Sequence, residues 1–469
     1  MEAASTAVQL LDGAQTQICS VFKYRVRGFP AFRFRLPILV CLKETAETVV
    51  HRKVRPVSHS EQNESSLRKN MLFNTVGSLM YQGCLWIITV LVVVLSDGYT
   101  DSGILSFAMT VGNMFTALGT YNMRTFQVSD VKNEYSQGTY VGFRCLTLVI
   151  ALAVISAYSL IVSPDSLTFA AVLTFLLFKI DESFCDVLYG TDQRGGRMDY
   201  IGISQFIRGI LVVAAFSMGL IVSHNILIAL FALYPMGLLM TIFYDIPHAK
   251  RIDAIRPTLT KQRALELLRR CLPLVLETLF IGMIVSVARQ YFSNAFGNDQ
   301  LGIYAAVATP AVLVQAAARY LYAPTLVPLA QQWSESPREA FLPYLKKVLG
   351  GIAAAIVVAV PLLALVGPPT LTLIYGQSIA VYTYLFTNVL VCTGAMAILY
   401  FLADVLIICR DIKGSLIASI VALASTVATM VPLESLFNMQ GINYTILLGT
   451  AAGIVSSFVL IKRNPAFKS

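Results

Sequence analysis

The sequence predicts an all-α polytopic membrane protein: twelve transmembrane helices in two parallel six-helix lobes around a central cavity. Three observations carry this reading. The chain is 56% hydrophobic and only 13% charged, with a mean hydropathy of +0.69, outside the range of soluble domains. Between Leu72 and Ile461 it breaks into twelve apolar stretches of roughly 20 residues, each long enough to cross a bilayer as a helix. Loops free of Lys and Arg alternate with basic ones, and basic loops stay in the cytoplasm.

The expected spans are 72–95, 103–123, 140–162, 167–189, 200–222, 226–246, 271–293, 301–325, 348–366, 379–408, 414–433 and 442–461. On one side they are joined by SDGYTDS (96–102), SPDS (163–166), SHN (223–225), NAFGNDQ (294–300), GPPTLTLIYGQS (367–378) and ESLFNMQG (434–441), none with a lysine or arginine. The other side holds Arg124 and Lys132, Arg194 and Arg197, the run from Lys250 to Arg270, then Arg338, Lys346, Lys347, Arg410, Lys413, Lys462, Arg463 and Lys468. Both termini are therefore expected in the cytoplasm. One missed helix would invert every later loop, so the alternation also checks the span count.

Four segments are expected. Residues 1–70 are basic, lack a span, and read as a tail outside the fold. Residues 71–246 form the first six-helix lobe. Residues 247–270 link the lobes, with an amphipathic helix over 259–270 along the membrane surface. Residues 271–469 form the second lobe and a short tail. DSGILSFAMT (101–110) aligns with QLGIYAAVAT (300–309), pairing Gly103 with Gly302 and Thr110 with Thr309. Six spans per half put both copies in one orientation, the arrangement of parallel repeats about an axis along the membrane normal.

The net charge of +9 fits topology-setting loops near anionic headgroups better than nucleic acid. The eight cysteines include no C-x-x-C, and the four histidines form no metal-ligand motif. No metal site, cofactor or catalytic residue is expected.

Ionisable residues inside spans are costly and by default face a cavity or a partner. Lys179, Glu182, Ser183 and Asp186 fall on one helical face of the fourth span. Lys179 can pair along the helix with Glu182, so a packing salt bridge and a stripe lining an aqueous path both remain open. Arg208, Arg289, Arg144 and Arg319 complete a cationic set suited to an anion such as pyrophosphate. Arg144, Arg319 and Asp404 lie near the interface and can equally snorkel. Glu182, Asp186, Glu277 and Asp404 are the candidates for a coupling proton or sodium ion, because burial raises a carboxyl pKa.

The stretches NTVGSLMYQGCLWIITVLVVVLSDGYTDSGILSFAMT (74–110), NMRTFQVSD (122–130) and FKIDESFCDVLYGTDQRGGRMDYIGISQFIRG (178–209) resemble the Wzx-type oligosaccharide flippases of the multidrug/oligosaccharidyl-lipid/polysaccharide exporter superfamily. The likeness covers about 72–463 and continues in QLGIYAAVATP (300–310) and LIYGQS (373–378). It implies two lobes about a V-shaped cavity, alternating access, and an undecaprenyl-pyrophosphate-linked oligosaccharide as cargo in the bacterial cytoplasmic membrane. A drug/cation antiporter of the same fold is the alternative. An enzyme is not expected: no outer loop exceeds about a dozen residues, too short to hold a catalytic domain.

Overall fold

The computed structural model describes residues 61–130, 134–322 and 325–464; the side chains of 61–69, 129, 337, 338 and several positions between 312 and 321, Arg319 among them, lie outside that description. The chain divides into two compact units, Met1–Arg68 and Lys69–Ser469. The expectation for residues 1–70 lies outside the described residues up to residue 60. From Glu61 onward the chain is helical.

Every regular element among the described residues is helical. The first lobe contains α1 (Glu61–Leu95), α2 (Thr100–Thr120), the short α3 (Met123–Ser129), α4 (Gln137–Val162), α5 (Ser166–Arg194), α6 (Met198–Ser223), α7 (Ile226–Met240) and α8 (Ile246–Ile252). The second contains α9 (Lys261–Phe296), α10 (Asn298–Tyr322), α11 (Leu326–Glu335), α12 (Leu342–Tyr375), α13 (Leu385–Ile408), α14 (Ile412–Phe437) and α15 (Met439–Arg463). Ten helical stretches are long and apolar enough to span a membrane. Of the remaining long helices, α5 falls short because Lys179, Asp181, Glu182 and Asp186 crowd its second half. With α5 and α10 the described chain has twelve membrane-length helices, six per lobe. The protein is a multi-pass membrane protein.

Local chemistry sets the helix ends. Asp165 accepts the Thr168 amide at 2.7 Å and starts α5, Ser136 accepts from Thr139 and starts α4, and Asp411 accepts from Gly414 and starts α14, each satisfying an otherwise orphaned donor. Tyr121, His224 and Asn438 turn the chain with positive φ after α2, α6 and α14. Val149, Leu160, Phe243, Val357, Leu365 and Val455 are among the many large apolar side chains left exposed, which is how a helix meets lipid.

Three boundaries differ from expectation. Lys261–Arg270 is not a separate surface helix: Thr260 caps it and it runs straight into the seventh span, so α9 is 36 residues long. The segment 367–375 continues α12 through Pro368 and Pro369; proline is tolerated in membrane helices because neighbouring groups re-satisfy the backbone it frees. Glu434 lies inside α14, in a place the sequence reading gave to a loop.

At the Lys/Arg-free end the lobes meet where α2 crosses α10. A Cβ on Gly103 would overlap the Asn298 carbonyl, and one on Gly302 would overlap the Tyr99 carbonyl. Each clash involves a residue four positions before the other glycine, so the contact is reciprocal across the two copies. Only glycine permits this approach of backbones. Ser102 donates to the Gly302 carbonyl at 3.3 Å, Tyr99 and Ser378 hydroxyls lie 3.1 Å apart, and Asn298 reaches Thr168 at 2.7 Å. The same end is therefore sealed by backbone packing and by polar contacts between lobes.

Candidate functional site

α5 places its charges on two sides and builds three separate centres. Lys179 and Glu182 form the first: Nζ lies 2.6 Å from Oε2, and the Tyr81 hydroxyl donates to Oε1 at 3.0 Å. The ammonium also sits 5.5 Å and 5.8 Å from the Phe175 and Phe178 ring centres, within cation–π range. It borders a cavity of about 20 Å³ shared with Asn113, Met109 and Leu233, which is room for one water.

The second centre is fully buried. Asp181 is two positions from Lys179, so its side chain leaves the Lys179 face and points to α6 and α7. Arg208 Nη1 contacts Asp181 Oδ2 at 2.5 Å and Nη2 contacts Asp245 Oδ2 at 2.8 Å. Thr241 donates to Asp181 Oδ1 at 2.6 Å and accepts from Arg208 Nη2 at 2.9 Å. Gly237 lets Asp181 approach α7, since a Cβ there would sit 2.6 Å from Oδ2. After Pro235 the helix widens into one π turn, Thr241–Asp245, and that turn supplies both Thr241 and Asp245. Arg208 is thus held between two carboxylates, 1% exposed, and is not presented to a ligand.

The third centre joins Arg144 and Asp186 at 2.7 Å, with Arg124 3.6 Å from the other carboxylate oxygen. Arg144 Nη1 also donates to the Gly119 carbonyl at 3.1 Å, and Thr147 donates to the same oxygen at 2.7 Å. Gly119 lies in the last turn of α2, where carbonyls lack helical partners and the dipole favours a cation. Arg144 is therefore a buried helix clamp; it does not snorkel.

In the second lobe Arg289 sits 5.5 Å from the Tyr304 ring centre. Its Nε is buried without a hydrogen-bond partner, and it forms no ion pair among the described residues. Its neighbour Gln290 crosses to the first lobe, donating to Thr110 at 3.1 Å, while Ser286 donates to the Thr110 carbonyl at 3.3 Å. Tyr304 donates to Asn443 at 2.8 Å, and Asn443 and Asn388 both donate to Gln440. Glu277 is buried and accepts from Thr278 at 3.2 Å; Asn122 of the first lobe donates to that same threonine at 3.0 Å. Asp404 is half-buried on α13. The Arg319 side chain lies outside the described residues.

The structure brings Lys179 to Glu182 and Arg144 to Asp186, and keeps Arg208 and Arg289 apart from both pairs. Sequence reasoning missed Asp245, Tyr81, Tyr304, Asn443 and Glu434. Asp245 carried a readable signal, an acid at the end of an apolar span. The others are ordinary in sequence and gain meaning only from packing.

No protein-family model matches the sequence, and no curated protein sequence matches it. Solved structures do. An inward-facing multidrug resistance MATE family transporter of the MOP superfamily aligns with a TM-score of 0.64 at 11% identity, over 85% of this chain and 99% of that one. The chain has the fold of MATE-family transporters. An outward-facing MATE family structure aligns at 0.53 and 14% identity, over 88% and 99%. A MOP superfamily transporter from Pyrococcus furiosus, described as having a binding pocket of reverse polarity that suggests a different function, aligns at 0.55 and 15% identity, over 88% and 100%. Identities this low speak to the fold alone, so cargo must be argued from this chain's own residues.

Proposed function

We propose that this protein is an alternating-access flippase for an oligosaccharide linked to a polyprenyl pyrophosphate, acting in the bacterial cytoplasmic membrane with its basic face and both termini in the cytoplasm. The observation that carries the reading is Arg289. It is a cation without an ion pair among the described residues, set within the second lobe's spans next to Ser286 and Gln290, which touch the other lobe. A guanidinium resting on an aromatic face can turn to a pyrophosphate, binding its oxygens bidentately. The sugar hydroxyls would otherwise shed water in hydrocarbon at a high cost each; a polar path between lobes removes that cost while the tail stays in lipid. Closure at the Lys/Arg-free end, and the higher TM-score against the inward-facing relative, support an inward-open state with the cargo loaded from the cytoplasm.

The second reading, a drug/cation antiporter, is favoured by one observation: two solved structures of this fold are described as multidrug resistance transporters. It predicts a carboxylate where Arg289 stands. Reconstitution separates the two. Proteoliposomes should translocate polyprenyl-pyrophosphate oligosaccharide, Arg289→Ala should abolish that movement at normal protein level, and Arg289→Lys should keep part of it. Efflux of a cationic dye with no movement of the lipid-linked sugar would overturn the flippase reading.

A further inference from the structure

One carboxyl stands apart from every ion pair described above. Glu434 lies in the last turn of α14, at the Lys/Arg-free end of the second lobe, and its relative exposure is 0%. Both carboxyl oxygens are buried with no hydrogen-bond partner. Every other carboxylate of the buried centres has found a donor: Asp181, Asp245, Glu182 and Asp186 each hold an arginine or lysine, and Glu277 accepts from Thr278. The turn that follows is tight. Asn438 has φ 49, and a Cβ on Gly441 would fall inside the Glu434 backbone, so α15 lies directly against the side on which Glu434 sits and shuts water out.

An ionised carboxylate with no donor in an apolar site is untenable; the group neutralises instead. The neighbouring elements offer few charges to prevent that. α14 packs on α9, α13 and α15. At this end of the lobe those elements carry Arg289 and Tyr291 on α9, Cys392 on α13, and Tyr444 on α15, with Tyr304 on α10 behind them. Arg289 is the sole permanent charge among these five, and it lies beyond ion-pair distance, over the Tyr304 ring. Arg289 is nevertheless linked to the helix that covers Glu434: it lies over the Tyr304 ring, Tyr304 donates to Asn443 of α15, and α15 abuts Glu434 at Gly441.

We infer that Glu434 is a proton-binding site: it carries a proton in this conformation, and its charge state governs whether Arg289 is free to bind an anion. Protonation forms an O–H bond on the carboxyl with a proton taken from water and leaves Arg289 uncompensated. Deprotonation returns that proton to water and creates a carboxylate that competes for Arg289. The inference rests on the reading of Arg289 as the anion-binding group, but its first test does not depend on transport.

That test is infrared spectroscopy of the full-length protein in lipid nanodiscs. The wild type should show a protonated-carboxyl band at neutral pH that is lost in Glu434→Gln. Glu434→Gln and Glu434→Leu should both insert and purify as the wild type does, because a neutral carboxyl without partners contributes no charge pair. A band unaltered by Glu434→Gln, a band removed by adding sodium at constant pH, or collapse of both variants would each overturn the proposal. The coupling is then read by titrating inorganic pyrophosphate against the protein in weak buffer, at a pH high enough that the Glu434 band has been lost and the carboxylate starts ionised. Proton uptake on binding should occur in the wild type and vanish in Glu434→Gln. Pyrophosphate binding with no proton uptake in the wild type would refute the link to Arg289 while leaving the flippase reading intact. Absence of pyrophosphate binding in both proteins, with the infrared band present, would refute the anion role of Arg289 and the coupling together.

Discussion

The reciprocal glycine crossing can be tested directly. Gly302→Ala adds one methyl group where the Tyr99 carbonyl already stands. The obstacle is backbone, so it cannot rotate aside, and α2 and α10 must separate. Forcing an extra methyl into a packed contact costs about 1–3 kcal/mol. Alanine also favours the helix over glycine by roughly 0.5–1 kcal/mol, but that gain is the same in both conformations and cancels from the opening equilibrium. The sealed state should therefore lose roughly 5- to 150-fold in relative population. Thr110 reports on this. It is 3% exposed, below the crossing, and is held by Gln290 and Ser286. A cysteine placed at Thr110 should be protected from an impermeant thiol reagent applied at the Lys/Arg-free face, and should become reactive when Gly302→Ala is added. Gly103→Ala should do the same, and the pair should be less than additive because both act on one contact. Gly350→Ala is the internal control, since a Cβ there meets nothing within 4 Å. Unchanged labelling of Thr110→Cys in both glycine variants would refute the view that this crossing seals the lobes.

Four further outcomes are expected. Single cysteines at Ser166 and Ser378, both exposed, should label from outside the cell, and one at Gly195 should not; labelling of Gly195→Cys from outside would invert the topology. Arg208→Ala should destabilise the protein by about 3–5 kcal/mol, because Asp181 and Asp245 are left buried and unpaired, and thermal unfolding in detergent will read this as lost fold, whereas Arg289→Ala should lose transport with its fold kept. In a double-mutant cycle Lys179→Ala and Glu182→Ala should each be worse for stability than the pair together; additive losses would show that the two side chains act separately. Asp130, outside the spans, is pushed up by burial, but hydrogen bonds from the Glu134 amide, the Tyr140 hydroxyl and the Tyr135 amide outweigh this and hold its carboxyl below the usual range. Its folded value is lowered, so its stabilisation is complete above the ordinary aspartate pKa of about 3.9 and disappears as pH falls through the folded value; Asp130→Asn should flatten that part of a stability-against-pH curve.

The helical fold was legible because hydropathy, span length and loop charge report one physical fact, the thickness of the bilayer. The pairing of Gly103 with Gly302 was visible as a short alignment, yet its reason, two backbones in contact, was not. Lys179 with Glu182 follows from helical spacing alone. Arg208 with Asp245 does not, because the partners come from α6 and α7 and the π turn that aims Asp245 leaves no mark in composition. Glu434 was hidden by its setting: ESLFNMQG reads as a polar loop, and only the close return of α15 buries the acid. Alternation of polar and apolar residues says where a helix ends within a turn or so, which is enough to misplace a single buried carboxyl.

α9 has a consequence for how the lobes can move. Its first half is tied to the first lobe: Tyr121 donates to the Leu268 carbonyl at 3.1 Å, Asn122 to that of Leu274 at 3.3 Å, and Tyr135 to Glu266 at 2.6 Å. The segment before it is pinned as well, with the Thr258 amide bonded to the Gly138 carbonyl at 2.8 Å. α9 also packs on α14 and α15 of its own lobe, while its second half holds the first lobe again through Ser286 and Gln290. One rod therefore belongs to both bodies, and a rocking motion must either bend it or tear one set of ties. Pro273 sits within this rod, between its earlier and later ties to the first lobe, at a point where the backbone ladder already lacks a rung. A motion of one lobe against the other would thus be taken up in the seventh span itself, while the eight residues from Asp253 to Thr260, pinned at Thr258, would ride with the first lobe.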